Sequence, residues 1–138
     1  MVNGGAKLRN IITQTVELRA TSEELIDMYL NPKIHENITG APVIIGEIPG
    51  SNFSAFNGAL SGTILFIHKP TLIVQSWRSV YFKPDDLDST LILNFEPAGN
   101  SGRINLAHLD VPEHDYDAVV EGWNKYYWVP WHRYLESG

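Results

Sequence analysis

Val111 to Leu135 reads VPEHDYDAVVEGWNKYYWVPWHRYL. On a helix, at about 100° per residue, Tyr116, Val119, Val120, Trp123, Tyr127, Pro130, Trp131 and Tyr134 fall within an arc of roughly 120°. Asp117, Glu121, Lys125 and His132 point the other way. So heavy an aromatic stripe needs a broad apolar surface to lie on, and by number most of it must be core. It is also enough aromatic surface to wall a cavity. Two residues interrupt the pattern. Gly122 costs about 1 kcal/mol against Ala in a helix interior, and is expected to let another element approach closely. Pro130 removes a backbone donor and is expected to bend the helix or end it in a short final turn.

The residues before the stripe supply the surface. Ile12, Gln14, Val16 and Leu18 alternate with polar neighbours as a strand does, after a loose terminus expected over Met1 to Lys7. Thr21 with Glu24 forms a capping box, and Leu25, Met28 and Tyr29 fill one face of a short helix. Asn31 and Pro32 open a second short helix, to about Asn37. From Ala41 the pattern is strand and turn. The apolar run Val43–Ile45 is followed by Phe53–Phe56, a turn at Asn57-Gly58, and Ala59–Ile67 with a bulge or bend expected at Gly62. Leu72–Val80, Ser89–Glu96 and Arg103–Leu109 complete the series. Short turns between these strands predict an antiparallel meander of about six or seven strands. The fold class is therefore α+β: a curved antiparallel sheet wrapped on one long C-terminal helix, with two short helices plugging one end. Space is expected at one end of the contact between helix and sheet.

Composition sets the outer limits. The 138 residues make one domain, 1–138, without internal repeat or linker. Ten Lys and Arg against sixteen Asp and Glu give a net charge of -6, and no basic run suits a nucleic acid. No cysteine is present, which removes disulfides, thiolate chemistry and cysteine-ligated metals and fits a reducing compartment. No stretch approaches the roughly eighteen apolar residues of a membrane span, and the first residues lack a signal-peptide core, so a cytoplasmic location is expected.

The segments IPGSNF, FNGALSG, KPTLIVQSWRS, LDSTLILNF, INLAHLDVPEHD and EGWNKYYW, taken in this order from about Ile11 to Leu135, resemble the single-domain homologues of the activator of the heat shock protein 90 ATPase. That family belongs to the helix-grip superfamily, with the START lipid-transfer domains, polyketide cyclases and birch-pollen-type allergens. The resemblance implies a helix-grip fold and, as in many superfamily members, an apolar pocket between helix and sheet. In two-domain eukaryotic activators a separate N-terminal domain makes the main chaperone contact, and nothing in this sequence corresponds to it. A chaperone-regulating, stress-response role with heat shock protein 90 as partner is thus an association by family.

The reading adopted is a binding module for a small hydrophobic or amphipathic ligand, lipid or polyketide-like. Its walls are expected from Phe66, Trp77, Leu93, Trp123, Tyr127 and Trp131, with His108 and Tyr126 as polar handles. His108 shares parity with Ile104 and Leu106, so it faces inward if they do. Trp77 is expected inside with Gln75 and Ser79, although Leu72, Val74 and Val80 share parity with Arg78 and leave the orientation open. No catalytic set is recognised: Gly58 to Gly62 lacks the spacing of a serine elbow. The five histidines show no HxH or HxxxH pair, so no metal site is expected. Without a phosphate-cradling loop, no cofactor is expected either. A cyclase- or dehydratase-type enzyme remains an alternative, resting on His108 alone.

Overall fold

The alternation from Ile12 to Leu18 forms β1 (Ile12–Leu18), with Ile12 and Leu18 buried. In the computed structural model, which describes residues 10–137, the terminus expected to be loose over Met1 to Lys7 lies outside the described residues. The capping box is formed: Glu24 N–H donates to Thr21 Oγ1 at 3.1 Å and Thr21 N–H to Glu24 Oε1 at 2.8 Å, opening α1 (Ser22–Leu30). Asn31 accepts from the backbone of Lys33 and Ile34 and starts α2 (Pro32–Thr39), which ends on the left-handed Gly40. There follow β2 (Asn52–Ala55), β3 (Leu60–His68), β4 (Leu72–Ser79), β5 (Ser89–Ala98) and β6 (Ser101–Leu109).

Among the described residues six strands pair antiparallel in the order β1-β6-β5-β4-β3-β2. The run Val43–Ile45 adds no seventh strand; Ile44 makes a single bridge to Ser54. One face of the sheet is the core. Leu91, Leu93 and Phe95 on β5 and Ile104 and Leu106 on β6 meet Leu25, Ile26, Tyr29 and Leu30 of α1. The bulge of β3 falls between Ile64 and Phe66, not at Gly62, and it slips the register by one residue. Gly62 serves a close approach: a Cβ there would run into the Ser76 carbonyl.

The closing helix has three parts. After a 3₁₀ turn at Glu113–Asp115 come α3 (Tyr116–Trp123), a π-helical turn (Asn124–Trp128) and α4 (Val129–Ser137). Pro130 neither ends nor breaks the helix. A proline ring clashes with the carbonyl four residues back, and a widened turn relieves that clash. The Val129 N–H accordingly reaches back to Asn124 O, five residues away. Gly122 is likewise not pressed by another element, since a Cβ there would meet only the Tyr126 ring, nearest at Cδ2, 3.6 Å away. α1 packs on β5 and β6, and α2 on α4 and the π turn, so the two short helices fill one end of the space between sheet and helix. Among the described residues no helix is long and apolar enough to cross a membrane.

Candidate functional site

At the other end, beside α3, the sheet and helix enclose a half-open cavity of about 490 Å³. Trp77, Ser79 and Tyr81 reach it from the end of β4, Phe56 and Leu60 from the turn between β2 and β3, and Asp115, Val119, Trp123, Tyr126 and Tyr127 from the helix. Glu121 and Lys125 stand exposed on its rim. The turn is centred on Phe56 and Asn57, at φ 51° and 55°, one residue earlier than the Asn57-Gly58 expected. A bulky residue held in the left-handed region is strained by about 1–2 kcal/mol, and such strain gathers at functional sites. Here it sets the Phe56 ring edge-on to Tyr126 and Tyr127, with centroids 5.5 and 6.0 Å apart.

Two buried imidazoles support the walls. Trp123 Nε1–H donates to His108 Nδ1 at 3.1 Å, so the neutral ring carries its proton on Nε2 and donates to Ser89 Oγ at 2.9 Å. Ser89 Oγ–H donates in turn to Trp77 O at 2.7 Å. Burial pushes His108 down to about 3, which keeps it neutral. On the opposite side His35 Nδ1–H donates to Tyr29 O and Tyr127 O–H donates to His35 Nε2, both at 2.8 Å. Burial lowers His35 to about 4, against the raising effect of the Tyr29 carbonyl, and raises the Tyr127 phenol. Tyr29 O–H donates to Gln75 Oε1 at 2.6 Å. The Trp77 indole N–H is buried and has no partner among the described residues.

The expected site residues divide. Trp77, Trp123, Tyr126 and Tyr127 come together on the cavity, with Trp77 inward beside Gln75 and Ser79. Arg78 points outward to Asp88 Oδ1 at 2.9 Å. His108 stands one layer behind, its ring 4.6 Å from that of Trp77. Leu93 lies in the core away from the lining. Phe66 is half-exposed on the outer face opposite Val74, because the bulge at Leu65 moves it off the face that Ile64 occupies. Trp131, expected on the pocket wall, is buried at the far end, with Nε1–H 3.5 Å from Met28 Sδ. Phe56, Leu60, Tyr81 and Asp115 line the wall without having been singled out from the sequence. At about 100° per residue Asp115 falls roughly 40° outside the arc of the stripe, so the period of the helix does not mark it. Nothing in the local sequence marks Phe56 or Tyr81.

Comparison with known proteins agrees with this architecture. No curated protein sequence matches the chain significantly. Among solved structures, an HSP90 activator from Plasmodium falciparum superposes with a TM-score of 0.82 at 21% identity, over 91% of this chain and 96% of that one. Protein MLL2253 from Mesorhizobium loti gives 0.78 at 16%, over 92% and 97%. The Aha1 dimer from Colwellia psychrerythraea gives 0.74 at 14%, over 91% and 96%. At these identities the likeness is one of fold. A family model described as "Activator of Hsp90 ATPase homolog 1-like protein" matches residues 19–129, and the chain belongs to that family.

Proposed function

We propose that the chain is a binding module whose cavity takes one small hydrophobic or amphipathic molecule, lipid or polyketide-like. The observation that carries this reading is the aromatic cavity beside α3, within the size range of small-molecule sites and polar at few points. The strained Phe56 backbone on its wall supports the same reading. The cyclase- or dehydratase-type alternative loses support, because both nitrogens of His108 are engaged and neither is free to move a proton. Titration with fatty acids, fatty amines, flavonoids and aromatic polyketides, followed by amide chemical shifts, tests the proposal. Shifts should cluster at Phe56, Trp77, Trp123 and Tyr126, and no response at millimolar ligand would end it.

A second reading, contact with heat shock protein 90, is favoured by the family description. Adding the chain to that chaperone and measuring its ATPase rate decides it, an unchanged rate counting against it.

A further inference from the structure

Asp115 is 7% exposed and lies on the cavity wall. It occupies the N-cap position of α3, yet its side chain makes no capping bond. Among the described residues its carboxyl group has neither a hydrogen-bond nor an ion-pair partner, and the adjacent His114 gives its Nε2 to Asp86 Oδ2 at 2.8 Å. Set into an aromatic wall and open only to the cavity, the carboxylate loses part of its hydration with no protein partner to replace it. Burial accordingly holds the Asp115 carboxyl above its usual range; the nearby His114 opposes this and Asp86 adds to it. Among the described residues the other charged groups on the lining are Glu121 and Lys125, so two carboxylates face one ammonium there. Lys125 Nζ already rests 5.2 Å from the centre of the Tyr126 ring, a cation on an aromatic face at the mouth.

Resting on the binding reading above, we propose that the ligand is an organic cation: an apolar body bearing a protonated amine or quaternary ammonium, its charge held by Asp115 and the surrounding aromatic rings. A neutral ligand would leave Asp115 unpaired, and an anion would be repelled by it. A cation supplies the missing partner while its apolar body lies among Trp77, Trp123 and Tyr127.

The test uses four probes of one shape on the full chain near neutral pH: naphthylmethylamine, its trimethylammonium form, naphthylmethanol and naphthylacetate. Affinities are read from amide shifts. The two cations should bind about tenfold or more tightly than the alcohol, and the acetate most weakly. Asp115→Asn should bring cation and alcohol within about twofold, with alcohol binding kept, and Glu121→Gln should leave most of the preference. Equal binding of alcohol and amine by the unaltered chain, or tighter binding of the acetate, would overturn the cation inference while leaving the cavity a binding site. A preference lost with Glu121→Gln but not with Asp115→Asn would also overturn it. No binding by any probe at millimolar concentration would sink the binding reading itself. Should Asp115→Asn fail to fold, the four-probe comparison on the unaltered chain still decides.

Discussion

His35 and His108 are both kept neutral by burial, so acid acts on the fold through them. Their folded-state values, about 4 and about 3, lie below the ordinary histidine value of 6.5. The unfolded chain therefore binds protons that the folded chain does not, and stability falls as pH drops below about 6.5, a loss complete only near the folded values. Between pH 7 and pH 5 each ring should withdraw about 2 kcal/mol. Denaturant midpoints across that range measure the loss, and the two imidazoles should keep neutral-ring NMR signals down to pH 5; a flat stability profile would contradict it. The two cavity tryptophans offer a second contrast. Trp123→Phe removes volume and strips His108 Nδ1 of its donor, whereas Trp77→Phe removes similar volume along with an N–H that has no partner. Trp123→Phe should therefore be the more damaging, by about 1–3 kcal/mol in chemical denaturation. Equal costs would mean that the bond to His108 contributes nothing net.

The closing helix shows how one element divides between core and site. α4 brings Trp131 under α1, where it is 1% exposed, while the π turn leaves Tyr126 47% exposed at the cavity mouth. Trp131→Ala should cost about 3–5 kcal/mol without altering the cavity, and Tyr126→Ala under about 1 kcal/mol while weakening ligand binding. Denaturant midpoints beside ligand titrations separate the two, and a severe loss in Tyr126→Ala would place that ring in the core. The sequence carried the gross pattern of this element because burial imposes its period: Val119, Trp123, Tyr127 and Trp131 share the stripe and are all buried. It did not carry the π turn. Trp128 falls off a regular stripe, yet it is 6% exposed and donates through Nε1–H to Gln14 Oε1 at 2.7 Å. An extra residue in the turn rotates everything after it, and Pro130 was the one sequence sign of it. The bulge at Leu65 was hidden for a similar reason, since no glycine marks the slip that sends Phe66 outward. His35 was passed over because its value depends on Tyr29 and Tyr127, the latter 92 positions away. Capping box, period change and strand order are local signals; cavity walls are assembled across the chain.

At the scale of the whole molecule, the sheet is covered unevenly. Two short helices fill one end, and among the described residues nothing equivalent covers the sheet beside α3, where about 490 Å³ stays open. Such a gap sacrifices packing that a protein without a ligand would gain by closing it. A molecule that binds only the folded chain restores those contacts, adding about 2.7 kcal/mol at a hundred times its dissociation constant. For 138 residues that corresponds to a rise of about 9 °C in Tm. Gly122 gives a way to separate a ligand space from a loosely packed core. A Cβ there meets Tyr126 Cδ2 at ordinary contact distance and otherwise faces the cavity. Gly122→Leu should therefore remove a helix-interior glycine, a gain of about 1 kcal/mol or somewhat less, and place the new side chain in the opening. The variant should melt higher than the parent without ligand and show no further rise when a cavity ligand is added. A lower melting temperature would mean that Leu has no room beside Tyr126 and that the space is closed in solution. A higher one with the ligand response intact would place binding elsewhere on the molecule.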